Sequence, residues 1–216
     1  GGTIYFIYLR IHNYLEVEKL KSKLSADLHD TIGSGLTEIA LLSDISQMEH
    51  VKNTGIESQP LQNISSRSRE LIDNMSDIVW LVNPRPRSMY ELLVRLKEIY
   101  LPVLSGKEIK FNFDLPAAFM NVKLGMEERQ NIYLIFKEAL NNSIKYSGAV
   151  YISLAAEAED KYIVITLKDN GTGFNPDVIK GNGVTNMRER AAELKGKFQI
   201  TSAAGEGTSV SLEIKL

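Results

Sequence analysis

The stretch ITLKDNGTGF, residues 165–174, decides the fold of the C-terminal half of the chain. Its first residues continue an alternating apolar segment that predicts a β-strand, and this strand runs into Asp169. Gly171 and Gly173 follow, and glycine permits sharp turns and a close approach to the backbone. Two interpretations are open. Asp-Asn-Gly is a common turn, but an aspartate beside glycines can also accept a hydrogen bond from the amino group of adenine.

The preceding stretch FKEALNNSIKYSGA, residues 136–149, belongs to a strongly apolar segment that predicts a helix over residues 125–147. Glu138 and Asn142 are four positions apart and share a helix face, and Lys145 lies near the same face. A carboxylate, an amide oxygen and an ammonium suit a hydrated Mg²⁺ ion and its phosphates. An ordinary solvated helix face is the alternative interpretation.

Two further glycine-rich stretches follow. In KGNGVTNMRER, residues 180–190, Gly181 and Gly183 come just before Val184 and a predicted helix, where backbone amides can bind phosphate. A single Gly-x-Gly is only a weak indication of such a site. In GEGTS, residues 205–209, the Thr208 hydroxyl could contact a base, although the same residues also suit a plain hairpin turn.

These four patterns occur in a fixed order. Together, residues 125–216 resemble the ATP-binding domain that histidine kinases share with gyrases, a heat-shock chaperone and mismatch-repair ATPases. FKEALNN matches the N box of that family, DNGTGF and GNGV match its two glycine boxes, and GEGTS matches its late Gly-Thr element. The resemblance implies ATP and Mg²⁺ as ligands, with Asn142 binding Mg²⁺, Asp169 recognising adenine, and Glu138 orienting water or the metal shell. The other candidate nucleotide contacts are Lys145, Gly171, Gly173, Gly181, Gly183, Val184 and Thr208.

The N-terminal half predicts two helices, over residues 11–50 and 58–82, with a break that contains Gly55 and Pro60. Two helices joined by a short turn form an antiparallel hairpin, which buries only one side of each apolar stripe. Two hairpins paired as a four-helix bundle would bury the rest, so we expect a homodimer through residues 11–83. The second helix repeats as a heptad-like seam of Leu61, Ile64, Ser68, Leu71, Met75 and Ile78.

One histidine in the first helix lies beside an acid, in SADLHDTIGSGLTEIALLS, residues 25–43. His29 lies about 100° around the helix from the core residue Leu28 and therefore at the edge of the bundle. Its neighbours four residues away, Ser25 and Gly33, are small and leave the imidazole clear of side chains. Asp30 can accept the Nδ1–H and leave Nε2 free to attack. The alternative is a surface histidine beside a solvated acid.

The same segment resembles the phosphoacceptor helix of sensor histidine kinases with the His-Asp motif, a class that includes nitrate and membrane-fluidity sensors. MSDIVWLVNP and RERAAELKGKFQITS also resemble this family. The resemblance implies ATP-dependent phosphorylation of His29, followed by transfer to an aspartate on the receiver domain of a response regulator. Ser34 departs from the family, which often has glutamine or histidine there to position water for dephosphorylating the regulator.

Composition narrows the classes of partner. The chain has 216 residues with a net charge of −2, which gives no reason to expect nucleic-acid binding. It has no cysteine, which excludes disulfides and thiolate metal sites. GGTIYFIYLR, residues 1–10, is apolar but shorter than the roughly 20 residues that cross a bilayer. We interpret the chain as the cytoplasmic portion of an inner-membrane sensor, tied to the membrane only through a missing N-terminal region, with an ordinary helix start as the alternative.

The sequence therefore predicts an α+β fold. Residues 11–83 form the dimerisation and histidine phosphotransfer hairpin, and residues 88–216 form a two-layer α/β sandwich that binds ATP on a mixed, mostly antiparallel sheet. Ser88 is expected to cap the first helix of the sandwich, and Gly196 to close the last helix. Two other functions remain open: an ATPase or serine kinase of the same superfamily, and a non-catalytic dimeric scaffold whose nucleotide site has decayed.

Overall fold

A computed structural model of the protein describes residues 32, 34–55, 58–83, 87–159, 161–175 and 182–215. The chain divides into two compact units, one ending at Arg85 and the other beginning at Pro86. The predictions for His29, Asp30 and Gly181 lie outside the described residues, as does the first part of the predicted N-terminal helix. None of the helices in the described part of the chain is both long and apolar enough to span a bilayer.

The first unit contains a pair of helices, α1 (Ser34–Thr54) and α2 (Gln59–Val82). Helix α1 continues four residues beyond the predicted end at residue 50, and Gly55, with φ of 70°, follows it. Pro60 lies in the first turn of α2, where its missing N–H costs no hydrogen bond. Helix α2 ends at Val82, as the sequence predicts. The N–H of the next residue, Asn83, donates to the carbonyl of Val79.

The contact between α1 and α2 is made mainly by small and polar side chains. The Ser43 hydroxyl donates to the carbonyl of Leu61 over 2.6 Å, and the Ser65 hydroxyl donates to Asp44 Oδ1 over 2.6 Å. Arg69 binds both Ser65 and Asp44. The hydrogen bond from Ser65, helped by the guanidinium of Arg69, holds the pKa of Asp44 below its usual value. These contacts pair the helices in antiparallel order.

The predicted heptad seam on α2 consists of two neighbouring rows that differ in exposure within one chain. Ser68 and Met75 are buried, whereas Ile64, Leu71 and Ile78 are 46%, 52% and 52% exposed. The latter three recur every seven residues and therefore lie along one side of the helix. On α1, large apolar side chains are also exposed, namely Ile39, Leu41, Leu42, Ile45 and Met48.

The second unit is an α/β sandwich. Ser88 caps its first helix as predicted, because its hydroxyl accepts from Glu91 N and its own N–H donates to the Glu91 carboxylate over 2.6 Å. That backbone hydrogen bond holds the pKa of Glu91 below its usual value. The elements in chain order are β1 (Arg87–Ser88), α3 (Met89–Gly106), β2 (Lys110–Asp114), a 3-10 helix (Ala117–Met120), β3 (Lys123–Leu124), α4 (Met126–Tyr146), β4 (Tyr151–Glu159), β5 (Tyr162–Asp169), α5 (Asn182–Glu193), β6 (Lys197–Ala203) and β7 (Gly207–Lys215).

Five of the strands form one sheet in the order β2-β4-β5-β7-β6. β2 pairs with β4 in parallel, with Lys110 opposite Tyr151, and the other three pairings are antiparallel. The predicted α+β class with a mixed, mostly antiparallel sheet is therefore confirmed. The sequence did not predict β1 and β3, which pair as a two-residue ribbon, or the 3-10 helix.

Alternate residues of the strands point into the core between the sheet and the helices. On β5 these are Ile163, Ile165 and Leu167, each 1% exposed or less. Asp169 is the next residue of the same row and is 2% exposed. A carboxylate thus continues an apolar row at the end of the strand, which places it inside the sandwich.

The end of α5 differs from the prediction that Gly196 closes the helix with a left-handed residue. Lys195 takes the left-handed conformation, with φ of 53°. The N–H of Lys195 donates to Ala192 and the N–H of Gly196 donates to Ala191, which is the hydrogen-bond pattern of a Schellman motif. Gly196 is needed for space, because a Cβ there would lie 2.9 Å from the Glu213 carbonyl oxygen.

Candidate functional site

A cavity of about 590 Å³ opens in the second unit, among residues of α4, β5, α5, β6 and β7. Seven of the predicted site residues line it: Glu138, Asn142, Asp169, Gly173, Gly183, Val184 and Thr208. Lys145 and Gly171, which are also predicted nucleotide contacts, lie in the described part of the chain but are not among the residues that line the cavity. Lys145 is exposed on α4, because the face that carries Glu138 and Asn142 does not extend to it.

Asp169 is the most constrained polar group of the cavity. Its Oδ2 accepts a hydrogen bond from the Ser143 hydroxyl over 2.7 Å. Its Oδ1 accepts from the N–H of Gly171 over 2.9 Å and from the N–H of Thr208 over 3.2 Å. An ionised carboxylate has about four acceptor positions, so these three bonds leave room for one further donor. The side chain is therefore held in one orientation and can still receive a hydrogen bond from a ligand.

Gly171 is required by packing within the protein. A Cβ at this position would lie 2.3 Å from the carbonyl oxygen of Ser147, at the end of α4. The N–H of Thr172 donates to that same oxygen over 2.8 Å. The glycine loop is thereby joined to the end of α4, which explains why Gly171 does not face the cavity.

The Thr208 hydroxyl takes part in a hydrogen-bond network within the protein. The Ser202 hydroxyl donates to the carbonyl of Gly207 over 2.8 Å and accepts from the N–H of Phe174 over 2.9 Å. Thr208 Oγ1 lies 3.0 Å from Ser202 Oγ, and it must be the donor because the Ser202 proton is already used. The lone pairs of the Thr208 hydroxyl remain available to a ligand in the cavity.

A second polar pair lines the same cavity on α4. Asn142 Nδ2 donates to Glu138 Oε1 over 3.3 Å, so the amide oxygen of Asn142 remains an acceptor. Gly183 packs closely against this pair, because a Cβ there would lie 2.3 Å from Glu138 Oε1. Amide oxygen is a ligand that Mg²⁺ accepts, and Mg²⁺ usually keeps several waters. Within the described residues, no group of three or more His, Cys, Asp or Glu could hold a metal ion.

The sequence reasoning missed Ser143 and the apolar walls of the cavity. Ser143 is 5% exposed and comes four residues after Ala139, on the buried side of α4. A buried hydroxyl nearly always has a hydrogen-bond partner. A serine on the apolar face of a predicted helix therefore indicates a polar partner inside the core, and the sequence contained this signal. The apolar lining comes from several separate elements, and its members include Met187, Ile200 and Val210.

A comparison with protein families identifies the domain around this cavity. The sequence pattern of the histidine kinase-, DNA gyrase B- and HSP90-like ATPases matches residues 127–216. Residues 127–216 are therefore similar to the ATPase domain of that family. The match includes every described residue that lines the cavity.

Relatives of the whole chain are sensor histidine kinases. The sensor histidine kinase ComP of Bacillus subtilis is 23% identical over 219 residues, which cover 97% of this chain and 28% of ComP. The sensor protein VraS of Staphylococcus saprophyticus is 24% identical over 205 residues, covering 93% of this chain and 56% of VraS. The chain is therefore homologous to sensor histidine kinases and spans from about a quarter to just over half of their length.

Solved structures share the fold at lower sequence identity. The histidine kinase domain of the blue-light activated kinase EL346 from Erythrobacter litoralis matches with a TM-score of 0.58 and 16% identity, covering 93% of this chain and 94% of that domain. Full-length ShkA in complex with AMPPNP matches with a TM-score of 0.56 and 15% identity, covering 91% of this chain and 45% of ShkA. These likenesses support the α+β fold of the second unit.

Gly173 offers a test of how tightly the cavity wall is packed. Gly173 and Gly205 both have positive φ, at 62° and 81°, but only at Gly173 would a Cβ meet backbone, at 1.9 Å from the Ala203 oxygen. We expect Gly205→Ala to cost about 1–2 kcal/mol of unfolding free energy, from φ alone, and Gly173→Ala to cost more than about 4 kcal/mol. Urea unfolding of both variants measures this, and equal costs would contradict the packing.

Proposed function

We propose that this chain is the kinase core of a two-component sensor, which transfers phosphate from ATP to His29 and then to an aspartate of a response-regulator receiver domain. The observation that carries the proposal is a cavity in which the buried carboxylate of Asp169 and the pair of Glu138 and Asn142 line the same space. It lies in an ATPase domain on a chain homologous to sensor histidine kinases.

Asp169 would recognise the base. Its remaining acceptor position suits the amino group of adenine, whereas guanine presents a carbonyl oxygen at the equivalent position and would be repelled. Ser143 supports this selectivity because its hydroxyl occupies one side of Oδ2 and fixes the direction of the free lone pair. The apolar side chains of Met187, Ile200 and Val210 would pack against the faces of the base.

Glu138 and Asn142 would serve the phosphate groups. The amide oxygen of Asn142 would be the protein ligand of Mg²⁺, and Glu138 would hold a water beside it. When bound, Mg²⁺ neutralises charge on the phosphates. The N–H groups of Gly183 and Val184, at the start of α5, suit phosphate oxygens. Gly181 would add a further N–H, although it lies outside the described residues.

The transfer itself needs a neutral imidazole with a free Nε2. Asp30 would hold the Nδ1–H of His29, so that Nε2 attacks the γ-phosphorus in line with the leaving oxygen. The Nε2–P bond forms as the bond from phosphorus to the β,γ-bridging oxygen breaks, and ADP leaves. The phosphoryl group then passes to a carboxylate oxygen of the receiver domain, and Nε2 is restored.

The exposed apolar face of the first unit supports a homodimer. Ile64, Leu71 and Ile78 recur every seven residues on α2, and each is about half exposed in a single chain. A second copy would cover this face as the seam of a four-helix bundle. Ser43 and Ser65, which join the two helices of one chain, are small and buried, whereas these three aliphatic side chains are available to a partner.

We propose the cytoplasmic side of the inner membrane as the location of this core.

Labelled ATP tests the phosphotransfer. We expect radioactive phosphate from Mg²⁺-ATP to label the protein with an acid-labile, base-stable bond, because phosphorylated histidine hydrolyses in acid. His29→Gln should abolish the label, and His50→Gln, a change of the same kind on α1, should retain it. Scintillation counting after acid and base treatment measures the outcome. Acid-stable label, or label that persists in His29→Gln, would refute the proposal.

Magnesium dependence tests Asn142. Asn142→Leu keeps the side-chain size but removes the amide oxygen, so we expect nucleotide affinity without Mg²⁺ to change less than about twofold. The gain in affinity on adding Mg²⁺ should fall about tenfold, equivalent to about 1.4 kcal/mol. Calorimetric titration of ADP with and without Mg²⁺ gives both values. Gln130→Leu removes an amide from the exposed side of the same helix, outside the cavity, and is the control. An unchanged Mg²⁺ effect in Asn142→Leu would contradict the assignment.

A charge on the apolar face tests the dimer. Leu71 is 52% exposed, and Leu71→Asp would bury a carboxylate in the proposed seam, which is strongly unfavourable. We expect this variant to sediment as a monomer at concentrations where the unchanged protein is a dimer. Ser66→Asp places the same charge about 140° away around α2 and should remain dimeric. The dimer proposal fails if the unchanged protein is a monomer, or if the two variants sediment alike.

A further inference from the structure

Asn131 is a buried side chain of α4 that lies outside the cavity. It is 3% exposed, and its amide has two charged partners on α5. Nδ2 donates to Glu193 Oε2 over 2.9 Å, and Oδ1 accepts from Arg190 Nη1 over 3.3 Å. We call these three residues the Asn131 clamp. The negative and positive partners fix which way the amide points, because each accepts or donates only one kind of hydrogen bond.

Helix α5 therefore meets α4 at two polar points. At one, Gly183 lies against Glu138 so closely that a Cβ would be 2.3 Å from the carboxylate oxygen. At the other, Arg190 binds Asn131. The two points are seven positions apart on each helix, 131 to 138 and 183 to 190, in antiparallel order. Seven residues make about two helical turns, or about 10.5 Å. The two contact points are therefore the same distance apart along α4 as along α5.

We infer that Asn131 is a positioning residue that sets the separation of Gly183 from Glu138, and through it the geometry of the phosphate end of the cavity. The inference rests on the proposed ATP-dependent transfer. A side chain at position 183 would clash with Glu138, and glycine has no side chain of its own to hold α5 at that point. Met187 and Ala191 bury α5 against the core. The clamp adds a polar restraint two turns from Gly183.

The polar group at the base end of the cavity is held by different contacts. Asp169 is fixed by Ser143, Gly171 and Thr208, none of which belongs to α5. Of the three apolar side chains proposed to pack against the base, only Met187 belongs to α5. Loosening the clamp should therefore disturb the groups near the phosphates more than those near the base. This separation distinguishes a positioning role from a general contribution to stability.

The test uses the whole chain and three measurements on Asn131→Leu, which keeps the side-chain size and loses both hydrogen bonds. Hydrogen exchange at the amides of residues 186–190, which are hydrogen-bonded within α5, should accelerate at least tenfold without nucleotide. The affinity for ADP should change less than threefold, and the rate of His29 labelling should fall at least tenfold. Arg190→Glu and Glu193→Arg, made singly, should give the same pattern.

The double variant Arg190→Glu with Glu193→Arg provides the matched rescue. The native amide can rotate by 180° and meet both exchanged partners, so exchange and labelling should return to within about threefold of the unchanged protein. This variant also decides the matter if Asn131→Leu does not fold. Unchanged exchange at residues 186–190, equal losses of ADP affinity and labelling rate, or failure of the double variant to recover beyond the single variants would each overturn the inference.

The hydrogen-exchange comparison is independent of kinase activity. If the unchanged protein labels no histidine, the proposed function fails, but faster exchange in Asn131→Leu with recovery in the double variant would still establish the restraint on α5. If labelling occurs and exchange is the same in every variant, the function stands and the positioning role of Asn131 is wrong.

Discussion

The carboxylate of Asp169 is the group on which the arrangement of the site depends. At 2% exposure it has lost its water shell, and burial of a charge is unfavourable unless hydrogen bonds replace that water. Its three donors come from α4, from the glycine loop and from β7. Satisfying this one group therefore brings together three segments that are distant in sequence. The Glu138 and Asn142 side chains, on the same helix as Ser143, are placed in the cavity by the same contact.

The strands and helices could largely be predicted from the sequence, because their apolar periods are regular. The helix at α4, the β4–β5 and β6–β7 pairs and the Ser88 cap all follow from local pattern. The two-residue ribbon of β1 and β3 could not, since a pairing this short leaves no periodic signal. At the end of α5, the sequence indicated Gly196 as the residue that closes the helix. In the structure Lys195 takes the left-handed conformation, and Gly196 is required because it packs against β7.

Asp169 and Gly173 were assigned to one site from a motif that fixes both residue type and backbone, and the structure places both in the lining of one cavity. A role that depends on a distant neighbour gives no such signal. Ser143 acts through Asp169, which is 26 positions away, and Asn131 acts through Glu193, 62 positions away. Gly171 was expected to let a ligand come close to the backbone. In the structure, the carbonyl of Ser147 at the end of α4 lies close to Gly171. Sequence spacing on one helix cannot reveal such contacts between elements.

The antiparallel pairing of β5 with β7 has a practical consequence for attaching labels to this protein. Asp169 is opposite Thr208 at one end of the sheet, and Tyr162 is opposite Lys215 at the other. Seven residues of strand, at about 3.3 Å each, separate the two ends by about 23 Å. A fluorophore or affinity tag placed after Lys215, or between β4 and β5, would stand well clear of the cavity. One placed in the β6–β7 turn would sit beside it.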